Sequence, residues 1–283
     1  MEIPKASYIH GSHKEEQDRL SLLNIILNHA CLERMIFKGQ EHILDVGSGL
    51  GQFTRLMAQQ LDNGKVVGVE RDEHQFTKAI ALAKEDKSTA VDFRQGDAYA
   101  LPLKKEEWNS FDIVFSRFLL EHLAEPKKAI NQMAKAVKVG GRVILTDDDH
   151  ATYRPTPEPV GFSIIWTAYM RSYERLGNDP FIGRNLPALL YQCQLKPIRL
   201  TSVFFGACAG EASFEMVANN LIGILEGAKE LMIKEHLIDE VTFTNCIQSL
   251  HVWKKRPDAA LCYSIDWAEG LKEEERIENR KKS

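Results

Sequence analysis

Leu44-Asp45-Val46-Gly47-Ser48-Gly49-Leu50-Gly51 lies between the short apolar run that begins at His42-Ile43 and a segment where Leu50, Phe53, Met57 and Leu61 recur at helical spacing. The pattern predicts a strand, a glycine loop and a helix, in that order. Glycines at positions 47, 49 and 51 let the backbone come close to a ligand and aim the N–H groups of a helix start at it. A G-x-G loop is weakly specific alone, so its neighbours decide its meaning.

Outward from the loop the same grammar repeats. Asp62-Asn63-Gly64 stops the helix, Lys65-Val66-Val67-Gly68-Val69-Glu70 is β-branched and strand-like, and a helix resumes from about Asp72 to Lys84. A third strand is expected near Val91 to Arg94, a fourth at Phe111 to Phe115, a helix from Glu121 to Lys138 and a fifth strand from Gly141 to Thr146. Strands alternating with helices imply βαβ units, hence a parallel sheet covered on both faces with right-handed crossovers. Upstream, Leu20, Leu23, Leu27, Ala30 and Cys31 share one helix face within Lys14 to Phe37, with Ser12 placed to cap it.

After His150 the grammar changes. Arg154-Pro155-Thr156-Pro157-Glu158-Pro159 has proline at every second position and predicts an extended connector. Helices follow over Phe162 to Leu176 and Asn185 to Cys193, then a strand over Ile198 to Phe205, a long helical stretch from Ala212 to His236 with more helix towards Leu250, and a last strand over Ala260 to Ile265. The expected organisation is one compact domain: a helical cap (1–40), an α/β core (41–150), a helical insertion or lid (151–197), the end of the sheet with a second helical insertion (198–270) and a charged tail (271–283).

The 283 residues, 44% hydrophobic and 27% charged, have the composition of an ordinary globular protein. A net charge of -4 gives no basic footprint for nucleic acid. No apolar run approaches the length of a spanning helix, and Met1-Glu2-Ile3-Pro4-Lys5 lacks the pattern of a secretory signal. A cytosolic protein acting on small molecules, with no membrane or nucleic-acid partner, is therefore expected. The five cysteines are scattered with no C-x-x-C spacing, so neither a disulfide framework nor a zinc site of that type is expected.

Two acidic residues sharpen the reading of the loop. Glu70 closes the second strand, where a carboxylate can accept from both hydroxyls of a ribose, and Asp97 in Gln95-Gly96-Asp97-Ala98 follows the third, where it can accept from an adenine amino group. A dinucleotide fingerprint would need glycine at Gln52, which is absent. With Asp45, Gly47, Gly49, Gly51, Glu70, Gly96 and Asp97 together, the chain resembles the class I S-adenosylmethionine-dependent methyltransferases over residues 40–147.

The resemblance implies a doubly wound, mostly parallel seven-stranded sheet whose last strand is antiparallel, with a helical cap before it and helical insertions after the fifth and sixth strands. It implies S-adenosylmethionine as cofactor: Gly47, Ser48 and Gly49 at the methionine part, Glu70 at the ribose, Arg71 and Gln75 around the adenine, Asp97 and Ala98 at the base, Ser116 and Arg117 beside the methionine. Tyr8-Ile9-His10-Gly11 and the following Glu15 to Leu20 resemble the cap of small-molecule members. On one reading Tyr8 lies at the sulfonium and Arg19 holds the cofactor carboxylate; on the other, Glu15 and Arg19 are a surface i, i+4 pair.

Methyl transfer from a sulfonium needs orientation and exclusion of water, and a base only if the acceptor keeps its proton. Candidate catalytic residues are His122 and Asp147. The run Asp147-Asp148-Asp149-His150 has three competing readings: a metal site, a polar substrate contact, or a solvated loop. Consecutive carboxylates cannot all converge on one ion, and no metal is expected. Phe162, Trp166, Tyr169 and Tyr173 form an aromatic helix stripe, read either as core or as a lid with Trp166 and Tyr169 on the substrate; Arg184 either anchors an anionic group or holds the fold. Ser116-Arg117-Phe118-Leu119 stands where methyltransferases of DNA bases and glutamine carry an Asn/Asp-Pro-Pro-aromatic tetrad, which argues against those substrates. The expected function is methyl transfer by direct displacement to a small-molecule acceptor, in a chain that can pair as a homodimer. The alternatives are a non-catalytic cofactor-binding regulator and a protein methyltransferase.

Overall fold

The structure, a computed structural model, describes residues 27–274. Most of the expected cap, including Tyr8 and Arg19, and most of the charged tail lie outside the described residues. Residues 27–32 are helical.

Five strands build the parallel part of the sheet: β1 (His42–Val46), β2 (Lys65–Glu70), β3 (Val91–Gln95), β4 (Phe111–Arg117) and β5 (Val137–Asp148). Their order is β3-β2-β1-β4-β5, and each neighbouring pair is parallel. Helices α1 (Gln52–Ala58), α2 (Glu73–Glu85) and α3 (Pro126–Ala136) make the crossovers. Alternate strand residues enter opposite layers. Ile43, Val66, Ile113 and Ile144 join the layer holding Phe53, Met57 and Leu27, while Leu44, Val67, Val114 and Val143 join the layer under α3 with Ile130 and Met133. Each such buried aliphatic side chain contributes about 1.5–3 kcal/mol. Because both faces are covered, the strands read as continuous apolar runs rather than alternating ones.

The second half completes the sheet. Helices α4 (Phe162–Arg175) and α5 (Ile182–Gln192) precede β7 (Lys196–Cys208); α6 (Phe214–Gly227), α7 (Lys229–Lys234) and α8 (Glu240–Trp253) precede β8 (Ala260–Leu271). Strand β8 lies between β5 and β7 and is antiparallel to both. This is the doubly wound sheet with an antiparallel last strand that the resemblance implied. An eighth strand, β6 (Arg154–Thr156), was not expected: the proline-alternating connector is extended, and its first three residues pair with the start of β8.

Other boundaries differ for local reasons. The helix expected from Glu121 to Lys138 is a 3-10 turn at Leu120–His122 followed by α3, because a residue before proline avoids helical ψ and Pro126 suits the first turn. The stretch from Ala212 to His236 divides after Gly227 into α6 and α7. Strands β7 and β8 run past the apolar segments that announced them, and β8 passes through Glu269. That carboxylate is 1% exposed and accepts from Arg142 of β5 at 2.7 Å, Arg199 of β7 at 3.0 Å and Trp267 Nε1 at 3.0 Å. A buried charge is tolerated when it is paired in this way. Among the described residues no helix is long and apolar enough to cross a membrane.

Candidate active site

The loop after β1 needs its glycines. Gly47, Gly49 and Gly51 have φ of +78°, +55° and +67°, values that side chains with a Cβ rarely adopt. A Cβ on Gly51 would also stand 2.1 Å from Cζ of Phe93 on β3, so the loop rests directly on the sheet. Gly47 and Ser48 both donate to the Val69 carbonyl, at 2.9 and 3.0 Å, which fixes the loop to the end of β2. Asp45 is buried and accepts from Thr54 Oγ1 at 2.6 Å, tying β1 to α1. Burial pushes its carboxyl up to about 6, with the Thr54 hydrogen bond and the Arg117 charge acting the other way.

The acidic residue ending β2 braces the loop from the side. Glu70 accepts from Gly49 N at 2.9 Å through one oxygen and from Asp72 N at 2.8 Å through the other. Burial raises its pKa, and these backbone hydrogen bonds oppose the rise. Asp72 caps α2 by accepting from Gln75 N, which brings Gln75 Oε1 to 3.3 Å from where a Cβ on Gly49 would lie. Arg71, next to Glu70, is exposed. Gly96 N donates to the Glu70 carbonyl at 2.9 Å, and Asp97 accepts from Tyr99 N at 2.8 Å, with Ala98 buried between them. At the end of β4, Ser116 is buried and its Oγ makes no hydrogen bond among the described residues. Arg117 donates to Asn28 Oδ1 at 2.8 Å and lies over the Phe53 ring at 4.9 Å. The register Val46↔Val69, Glu70↔Gln95 and Arg117↔Thr146 places all these groups along one carboxyl edge of the sheet.

Beside that edge lies a buried polar cluster. Asp147, Asp148, Asp149 and His150 are 1%, 9%, 5% and 3% exposed, which rules out the solvated-loop reading. Their four side chains separate into three directions. Asp147 accepts from Leu120 N at 2.8 Å and Asp148 N at 3.1 Å, so it holds the turn after β4. Asp149 takes a two-pronged ion pair from Arg184 of α5. Asp148 and His150 turn towards Glu121: His150 Nε2 is 3.2 Å from Glu121 Oε2, and its Nδ1 is 4.0 Å from Asp148 Oδ2. His122 Nε2 lies 3.4 Å from the other oxygen of Glu121.

Burial dominates the electrostatics of the cluster. It pushes Glu121 up to about 8 and raises Asp147 and Asp148 well above the usual carboxylate range, with the Glu121 charge adding to both. It pushes His122 down to about 3, helped by the charge on His150, and lowers His150 itself.

The aromatic stripe of α4 is the wall of this cluster. Phe162, Trp166, Tyr169 and Tyr173 are all buried. Trp166 Nε1 donates to the His150 carbonyl at 2.8 Å, Tyr169 and Tyr173 share a hydrogen bond of 3.0 Å, and the rings of Tyr169 and Tyr173 meet the imidazole of His150 edge-on at 5.4 and 5.0 Å. Gly183 lets α5 press on the strand end, since a Cβ there would stand 2.8 Å from the Asp147 carbonyl. Sequence reasoning missed Glu121, Asp148, His150 and Tyr173 as one group; the run after β5 was visible, but nothing local ties it to Glu121.

Residues 37–171 match the family model described as a methyltransferase domain. An uncharacterized methyltransferase of Schizosaccharomyces pombe is 32% identical over 158 residues, covering 53% of this chain and 54% of that protein. A demethylmenaquinone methyltransferase of Renibacterium salmoninarum is 30% identical over 139 residues, 49% of this chain and 52% of that one. The chain thus spans about half the length of the curated relatives it matches. In fold it is similar to phosphoethanolamine N-methyltransferase 2 of Haemonchus contortus, solved with phosphomonomethylethanolamine and S-adenosylhomocysteine: TM-score 0.51 at 16% identity, over 91% of this chain and 53% of that one.

Proposed function

From the match of residues 37–171 to a methyltransferase domain, we propose that the chain is a class I S-adenosylmethionine-dependent methyltransferase that transfers a methyl group to a small-molecule acceptor by direct displacement. S-adenosylmethionine, when bound, supplies a methyl group already activated on sulfur. The residues present suit it. A Cβ on Gly47 would crowd Leu119 at 3.2 Å and one on Gly49 would crowd Gln75 at 3.3 Å, so the glycines leave a cradle, and Ser116 Oγ is a buried group without a partner among the described residues. In this reading Gly47, Ser48 and Gly49 with Ser116 and Arg117 hold the amino-acid arm, Glu70 the ribose, and Arg71, Gln75, Gly96, Asp97 and Ala98 the base.

One observation carries the proposal. Gly47 packs on Leu119, and the next residue, Leu120, is held by Asp147. Donor cradle and buried polar cluster are therefore joined through two consecutive residues. The work of the chain is to bind, orient and exclude water, and orientation alone lowers a barrier by up to about 7–11 kcal/mol. Trp166 and Tyr169 enclose the acceptor side, His122 and Asp147 fix its polar floor, and Arg184 secures Asp149 at its margin. An enclosed aromatic wall and a net charge of -4 favour a small molecule over a nucleic acid.

The test is incubation with methyl-labelled S-adenosylmethionine and a fractionated cell extract. Label in the small-molecule fraction, with stoichiometric S-adenosylhomocysteine, is expected. Label confined to protein would support a protein methyltransferase, and cofactor binding by calorimetry without transfer would support a regulator; either overturns the proposal.

A further inference from the structure

We infer that Glu121, Asp148 and His150 form a binding site for one divalent transition-metal ion, Zn(II) in type. One ligand atom from each of these buried residues lies within 4.8 Å of the other two. Ligand atoms bound about 2.0–2.2 Å from a common zinc stand roughly 3–4 Å apart, so His150 Nε2 and Glu121 Oε2, at 3.2 Å, already have the spacing of adjacent ligands.

A second observation is independent of the acidic character of the cluster. Neither ring nitrogen of His150 makes a hydrogen bond among the described residues, although the side chain is 4% exposed. The 3.2 Å approach to Glu121 lacks hydrogen-bond geometry, and Glu121 Oε2 and Asp148 Oδ1 are likewise unbonded. Buried polar side-chain atoms in folded proteins nearly always have partners. Three buried residues from two different strand ends come together here, and a cation bound by His150 Nε2 and Glu121 Oε2, with an Asp148 oxygen as third ligand, gives partners to groups that otherwise have none among the described residues.

The expectation of no metal rested on the divergence of consecutive carboxylates, and that divergence is real: Asp147 and Asp149 turn to Leu120 and Arg184. Glu121, arriving from the turn after β4, replaces them. One imidazole with two carboxylates suits zinc or manganese better than magnesium, which prefers oxygen ligands alone. Tyr169 and Tyr173 close the His150 side, and zinc, commonly four-coordinate, would take its fourth ligand from water or from an acceptor that presents an oxygen. That acceptor class rests on the methyl-transfer reading; the ion does not.

The full chain, stripped with a chelator and reloaded with ZnCl2, is expected to retain one zinc per chain after gel filtration. X-ray absorption at the zinc edge should show nitrogen and oxygen ligands at about 2.0–2.1 Å, an imidazole signature and no sulfur. His150→Gln and Glu121→Gln should each bind zinc at least tenfold more weakly, with S-adenosylmethionine binding by calorimetry reporting that the domain is folded. Less than one zinc per chain, a sulfur-containing shell, or undiminished binding by both folded variants overturns the site. The absorption spectrum of the wild-type chain decides the matter even if the variants misfold, and a failed metal site leaves the labelled-methyl assay unaffected.

Discussion

Asp149 and Arg184 meet side by side: Nε of the guanidinium donates to Oδ2 at 2.6 Å and Nη2 to Oδ1 at 2.7 Å. The carboxylate is buried and the guanidinium half exposed, 7% against 52%, so the pair anchors the first turn of α5 to the loop after β5. Arg184→Ala leaves a buried carboxylate without its strongest partner and should cost about 1.5–3 kcal/mol. Arg184→Lys, which cannot make the fork, should recover only part. Urea midpoints measure both. If Arg184 serves instead to hold an anionic acceptor, KM will rise while the midpoint stays put.

Glu70 receives two backbone N–H groups, one of them from the glycine loop itself. Its removal loosens the loop and deletes the proposed ribose acceptor together. Glu70→Ala is expected to weaken S-adenosylmethionine binding at least tenfold, about 1.4 kcal/mol, by calorimetry. Equal affinity would separate Glu70 from the cofactor.

Gly51 and Gly68 both lie against the ring of Phe93, at 2.1 and 2.7 Å from where their Cβ atoms would be. Gly51→Ala forces that ring aside and also strains a positive φ, and should destabilise by about 1–3 kcal/mol. A smaller side chain at position 93 makes room. The double variant Gly51→Ala, Phe93→Leu should therefore lose less than the sum of the two single changes, and an additive cycle would show that strain, not crowding, is the cause.

Asp45 gives stability a pH dependence of unusual sign for a carboxyl. Its folded value of about 6 lies above the ordinary 3.8, so between these values the folded chain keeps a proton that the unfolded chain has lost. Stability from this group is full below about 3.8, falls as pH rises through about 6, and is then lower by about 2–3 kcal/mol. Asp45→Asn still accepts from Thr54 and should flatten that decline. Denaturation midpoints at pH 5 and pH 7.5 provide the comparison.

The donor half of the site could be read from residues because its determinants are local. Gly47, Gly49 and Gly51 sit between a strand and a helix that announce themselves by period, Glu70 ends β2 and Asp97 follows β3. The acceptor half had no such pattern. Glu121 and His150 belong to different strand ends and meet only after β4 and β5 pair in register, and Tyr173 reads as one more core aromatic. Pro126 marks the start of α3 after the turn at Leu120–His122, a boundary that the apolar spacing across Glu121 to Lys138 does not show. Glu269 was hidden for the opposite reason: a charge within an apolar run argues for the end of a strand, and only Arg142 and Arg199, from two other strands, make it an interior residue.

The place of β8 also has a consequence for how the chain is made. It follows every other described strand in the sequence, yet lies between β5 and β7 and is the only described strand that pairs with β7. During synthesis, β5 therefore waits with an open edge, and β7 has no place in the sheet, until the segment from Ala260 to Leu271 has left the ribosome. Open strand edges invite pairing with other molecules, so the interval before β8 arrives is when a nascent chain most needs a chaperone.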